Sequence, residues 1–143
     1  MTAIRNVSKD VGFLLNPIIE ALEKLKEDII CRTDGMTILV GAYGTENFIL
    51  FAYLSILKHK NGDEIAITVS VDISDGRINI DSDACENSGR VILEGPKLME
   101  KFADWPSSRT ACDAWLERFC SFLSANIDAI VDEAKKLPDE GGE

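Results

Sequence analysis

Ten residues in the middle of the chain, Glu64-Ile65-Ala66-Ile67-Thr68-Val69-Ser70-Val71-Asp72-Ile73, place every large apolar side chain on an odd position. Successive side chains of a strand point to opposite faces of a sheet, so this alternation predicts a strand with one buried and one polar face. Asp75-Gly76 follows, a pair suited to a two-residue hairpin turn with positive φ at both central positions. Pairing about that turn sets Ile73 against Ile78 and Val71 against Ile80 on one face, with Asp72 against Asn79 and Ser70 against Asp81 on the other. A one-residue slip mixes the faces, so the pattern itself holds the register.

Asn61-Gly62 reads as a second turn of the same kind, pairing Lys58 with Ile65, Ile56 with Ile67, Leu54 with Val69 and Ala52 with Val71. The other side of this upstream strand carries Ile49, Phe51, Tyr53 and Leu57, beside Asp72, Ser70, Thr68 and Ala66. The second face therefore passes from apolar to acidic between neighbouring strands. A run as apolar as Phe48 to Leu57 normally belongs to a strand covered on both sides, so a helix is expected over this face too. Left uncovered, the same face is a binding patch.

The flanking segments are helical. Residues 1–15 are ambiguous, since Ser8 suits a cap for a short helix through Val11, Phe13, Leu14 and Leu15 while Gly12 weakens it. Asn16-Pro17 is a clearer start, with Asn at the cap and Pro at the first helical position, and Ile18, Leu22, Leu25 and Ile29 then form one apolar stripe. That helix ends by Arg32 to Gly35, and Thr37 to Tyr43 is the first strand, with Gly41 and Gly44 as bulge and turn glycines. Asp81 to Asn87 reads as a solvated acidic loop, Arg90 to Glu94 as a fifth strand and Lys97 to Phe102 as a short helical turn. Ser107-Ser108 then caps a long helical pattern marked by Cys112, Leu116, Cys120, Leu123, Ile127, Ile130, Ala134 and Leu137. A continuous helix of about 30 residues spans about 45 Å, against about 20 Å for a strand. Either it breaks, near Ser121 to Asn126, or its last turns project and form a homodimer. The expected fold is α+β: an N-terminal helix, a five-stranded antiparallel meander sheet and a long C-terminal helix packed on the sheet, one domain over 1–137 followed by a disordered acidic tail over 138–143.

Charge narrows the partners. The net charge is −10, of which residues 61–95 carry −6. Acidity on this scale excludes phosphate-contacting nucleic-acid binding and anionic membrane surfaces, and it suits a basic protein partner. There is no apolar run near 18 residues, hence no transmembrane helix. The 4 cysteines lack a C-x-x-C spacing, and no signal-peptide pattern opens the sequence, so reduced thiols in a cytoplasmic protein are expected.

Catalytic chemistry has little to build on. The one histidine, His59, lies by a turn between two lysines, and no G-x-S-x-G elbow accompanies it. Asp81, Asp83 and Glu86 cluster as a calcium loop would, but without the glycine and glutamate at EF-hand spacing. Asp72 and Asp81 are the one carboxylate pair that burial could turn to acid–base work, and beside Ser70 and Asn79 they read as solvated. No catalytic residue, metal ligand or cofactor is assigned.

In size, acidity and a helix-flanked sheet, the chain resembles small acidic bacterial binding proteins: toxin-neutralising immunity proteins and secretion chaperones. The resemblance covers composition and element order, and no motif carries it. Secretion chaperones would place a helix within the run of strands, and none is read between Met36 and Gly95. The resemblance implies a non-enzymatic inhibitor or immunity-type protein that neutralises a basic partner. Asp72, Asp81, Asp83 and Glu86 would then steer the encounter, with Phe51 and Tyr53 as apolar anchors. The alternatives are a secretion-chaperone-like binder and a small-ligand or metal-dependent enzyme using the same face.

Overall fold

The computed structural model describes residues 2–33, 35–45, 49–58, 63–74, 77–86, 89–101 and 105–137, with side chains throughout except in 2–14, 73–74 and 105–108. Helix α1 (Thr2–Ile29) leads into strands β1 (Thr37–Gly44), β2 (Ile49–Leu57), β3 (Glu64–Ser74), β4 (Arg77–Glu86), β5 (Val91–Glu94) and β6 (Leu98–Lys101). Helices α2 (Trp105–Ala125) and α3 (Ile127–Lys135) follow. The sheet is antiparallel in the order β1-β2-β3-β4-β5, with β6 also pairing to β4. This is the expected α+β class, with six strands rather than five.

The β3–β4 register is the one read from the alternation, Ile73 opposite Ile78, Val71 opposite Ile80 and Asp72 opposite Asn79. The β2–β3 register is displaced by two residues from expectation: Ile56 pairs with Ile65, Leu54 with Ile67 and Ala52 with Val69. The ladder closes at Leu57–Glu64, so the connection is longer than a two-residue turn, and Asn61-Gly62 lies outside the described residues. Because the displacement is even, every side chain keeps its face.

Three further expectations are corrected. Asp81 to Glu86 is no loop but the second half of β4, where Ile78, Ile80, Ser82 and Ala84 point inward and are buried. A serine and an alanine among the inward positions hid the period. Residues Leu98–Lys101 form a strand rather than a helical turn, because Ser82 organises a break ahead of it. Its hydroxyl donates to Pro96 O (2.8 Å), its carbonyl accepts from Gly95 N (2.9 Å), and Trp115 Nε1 donates to the same Pro96 O (2.9 Å). The last edge strand is thereby split around Gly95-Pro96 into β5 and β6, and a Cβ at Gly95 would collide with Ser82. Third, Pro17 lies inside α1 rather than at its start. Leu15, one turn of stripe before Ile18, already packs against the core, so the apolar face spans the proline and tertiary burial outweighs the lost N–H.

The core forms between one face of the sheet and all three helices. Ile18, Leu22, Leu25 and Ile29 of α1 meet Ile38, Ala52, Leu54 and Ile56, while Trp115 and Phe119 of α2, stacked 5.1 Å apart, join them with Ile130, Val131 and Ala134 of α3. The C-terminal helix does break, at Asn126, whose side-chain Nδ2 donates to Phe122 O (2.8 Å). The break turns α3 back over the sheet. Lys58 Nζ holds its C-terminal end, donating to Lys135 O (3.2 Å) and Leu137 O (2.8 Å), and Arg32 at the end of α1 ion-pairs with Asp128 in its first turn. Ser107 and Ser108 lie inside α2, which starts at Trp105, rather than capping it. The tail after Leu137 lies outside the described residues.

Candidate functional site: the open sheet face

The expected helix over the second face is absent among the described residues: the cluster of buried apolar residues contains none of Leu39, Tyr43, Phe51, Tyr53 or Met99. All three helices share the inner face, so the outward side chains of β1 to β4 form an open surface. The registers arrange it in cross-strand rows. Leu39, Ser55, Ala66, Cys85 and Val91 form one row, Gly41, Tyr53, Thr68, Asp83 and Glu94 the next, and Tyr43, Phe51, Ser70 and Asp81 a third. Ile49, Asp72, Asn79 and Met99 complete it.

The β1–β2 half is aromatic. Tyr43 stacks on Phe51 with ring centroids 4.9 Å apart and an interplanar angle of 19°, and Tyr53 lies tilted 6.3 Å from Tyr43. A glycine makes this possible: a Cβ at Gly41 would sit 2.6 Å from Tyr53 Oη, so the Tyr53 ring lies over bare backbone. Phe51 and Tyr53 are half-buried by their ring neighbours, while Tyr43 is 54% and Leu39 50% exposed. These rings explain the apolarity of β2 without a covering helix.

The β3–β4 half is acidic and polar, with Asp81 exposed and Asp72 and Asp83 half-buried. Lys97 Nζ lies 3.7 Å from Asp81 Oδ1, an exposed pair. Asn79 Oδ1, between Asp72 and Met99, is shielded from solvent and accepts no hydrogen bond among the described residues. The Cys85 thiol beside Asp83 is pushed up to about 11, by burial first and then by its hydrogen bond to the Asp83 carboxylate, so it stays protonated and is a poor nucleophile.

Five of the six residues singled out from sequence, Phe51, Tyr53, Asp72, Asp81 and Asp83, come together on this face. Glu86 does not. It lies opposite the inward Ile65 at the far end of β4, where its carboxylate binds Arg90 (2.9 and 3.1 Å), and Arg90 reaches Glu133 of α3 at 3.5 Å. The Glu86 carboxylate, by its hydrogen bond first and then by its charge, raises the Arg90 pKa above its ordinary value. Sequence reasoning missed Tyr43, Leu39 and Met99. The signal for Tyr43 was its place two residues from Gly41 in a strand without charge. His59 lies outside the described residues.

Among the described residues no group of three or more His, Cys, Asp or Glu is arranged to hold a metal ion, and no helix is long and apolar enough to cross a membrane. Compared with known proteins, the chain matches no family model, no curated protein and no solved structure.

Proposed function

We propose that the chain is a non-enzymatic protein-binding module of the inhibitor or immunity type that neutralises a basic partner through the open sheet face. The observation that carries this reading is the division of one uncovered face into an aromatic half and an acidic half. Aromatic rings supply large contact area at low entropic cost and dominate binding energies, while carboxylates around them set orientation and on-rate. A lysine- or arginine-rich surface with an apolar centre complements both halves. The strands run from Thr37 to Lys101 with no helix among the described residues, unlike the element order of secretion chaperones. α3 is folded onto the sheet with Ile130, Val131 and Ala134 buried, so the C-terminal helix is not the surface we assign to a partner.

The test is capture from lysate of the source organism at low salt, run in parallel with Tyr53→Ala and with the triple variant Asp72→Asn/Asp81→Asn/Asp83→Asn. A basic protein retained by the wild type, eluted by salt and lost from both variants supports the reading. The same proteins retained by all three baits, or none by any, overturns it.

A further inference from the structure

We propose that two copies of the chain pair through the free edge of β1, antiparallel about a two-fold axis at Gly41, to form one sheet running through both. The two edges of the sheet differ sharply. One is β5 and β6, 4 residues each, broken at Gly95-Pro96 and carrying Glu94, Lys97, Glu100 and Lys101. Short strands, proline and charge are the usual protections against strand addition. The other edge is β1, 8 residues reading TILVGAYG, with no charge and no proline.

Which backbone groups that edge presents follows from one hydrogen bond. Thr45 N donates to Ile49 O (2.8 Å), so Thr45 faces β2. In an antiparallel ladder the same side recurs at every second residue. Tyr43, Gly41, Leu39 and Thr37 therefore also face β2, and Gly44, Ala42, Val40 and Ile38 turn their N–H and C=O groups to the open edge. Ala42 and Gly44 are exposed and Val40 half-buried.

A second copy satisfies these groups in one register. With Gly41 opposite the second copy's Gly41, Val40 pairs with Ala42 and Ile38 with Gly44, in both directions, and all four edge-facing residues find partners. Moving the axis to Val40 strands Gly44, and moving it to Ala42 strands Ile38. On the open face the same register sets Leu39 directly opposite the second copy's Tyr43, at closely spaced non-hydrogen-bonded positions. The two exposed large apolar side chains of β1 thus cover each other. Glycine at the axis leaves room for the Tyr53 ring of each copy, which already lies over Gly41. On the open face no like charges meet at the junction, because the acids of that face sit on β3, β4 and β5. The joined sheet carries one central aromatic strip with an acidic flank on either side.

The register can be read by cross-linking. In a Cys31→Ser/Cys120→Ser background, which removes the exposed thiols, the double variant Leu39→Cys/Tyr43→Cys should oxidise to a covalent dimer on a non-reducing gel. Each single variant should stay uncross-linked, since residue 39 faces 43 and not itself. Light scattering should show a dimer for the wild type, and Leu39→Lys, a surface change that leaves folding intact, should weaken dimerisation at least tenfold. Ala42→Pro, which deletes one edge N–H, should do the same. A chain that stays monomeric at millimolar concentration leaves the edge to a strand of another protein and overturns the proposal. So does a dimer that the double-cysteine variant fails to cross-link, or one indifferent to Leu39→Lys.

Discussion

The two faces of the sheet are made by the same strands yet answer to different demands. On the inner face Leu54, Ile56, Ile67, Val69 and Ile80 are at most 1% exposed and belong to one core with side chains of the helices. On the open face Tyr43 stacks on Phe51 and lies tilted beside Tyr53, with no helix over them among the described residues. Period-2 alternation lets a chain separate the residues that hold it together from those that meet other molecules, because a substitution on one face leaves the other untouched. Substitutions on the inner face should therefore change stability, and those on the open face should change association.

The largest effect is expected at Trp115. It is fully buried, stacks on Phe119 and donates to Pro96 O. Trp115→Ala should cost about 3–5 kcal/mol through the cavity it leaves, and the orphaned Pro96 carbonyl adds to that. The fall in the urea midpoint measures it. Trp115→Phe keeps most of the volume and should recover most of the loss; equal damage from both variants would show that the indole hydrogen bond dominates.

Gly95→Ala comes next. The added methyl meets the Ser82 side chain and backbone at the split between β5 and β6. Overpacking of this kind costs about 1–3 kcal/mol, and Ser82→Ala in the same chain should return part of it by removing the obstructing hydroxyl. Denaturant melts of the single and double variants give the coupling.

A pH titration separates the same two faces through their thiols. Burial first, then Asp113 and Glu100, push the Cys112 thiol up to about 11 from an ordinary 9.0. Between those values the unfolded chain releases a proton that the folded one keeps. The stability contributed is whole below pH 9 and is lost as pH rises toward 11. Cys112→Ala should flatten that decline, and Cys85→Ala should flatten it less, since Cys85 is only half-buried. In the native protein a thiol reagent at neutral pH should find Cys31 and Cys120, the exposed pair, well before the other two.

Truncating the open face should barely move the melting curve. Tyr53 lies over Gly41 without entering the core, so Tyr53→Ala should lose about 1 kcal/mol or less. Yet as a binding anchor it should cost at least tenfold in partner affinity. Calorimetric unfolding and partner titration on one preparation give both numbers.

The strands most legible in the sequence were those whose inner positions are uniformly large. In β3, Ile65, Ile67, Val69 and Val71 announce both the strand and its pairing with β4. Where the inner face narrows to Ser82 and Ala84 the period fades, and half of β4 reads as a loop from sequence alone. β6 is not legible because four residues of mixed character carry no period of their own; what makes them a strand is pairing with the distant β4, Leu98 opposite Ile80 and Met99 opposite Asn79. Local signals misled at Pro17, where packing overrode a helix-start signature. At Asn126 they agreed with the structure, since a helix too long for its sheet has to break. The apolarity of β2 alone predicts a covering helix; none lies over it among the described residues, where Tyr43 stacks on Phe51 and the Tyr53 ring lies over Gly41.

The smallest effect on stability belongs to Asp81. Its contact with Lys97 is long, 3.7 Å, and both side chains are more than half exposed, so solvent screens it. Exposed pairs of this kind are worth about 0–1 kcal/mol, and Asp81→Asn should leave the unfolding midpoint nearly unchanged. Its charge acts at longer range. At low salt it adds to Asp72 and Asp83 on the same half of the face, and the Debye length of about 10 Å at 0.1 M lets the three act together on an approaching cation. Asp81→Asn should therefore lower the association rate of a basic partner and flatten its salt dependence, with the dissociation rate held. Stopped-flow mixing at two ionic strengths reads both. A change confined to dissociation would instead place Asp81 in direct, desolvated contact with the partner, and the acidic half would then be part of the anchor rather than its guide.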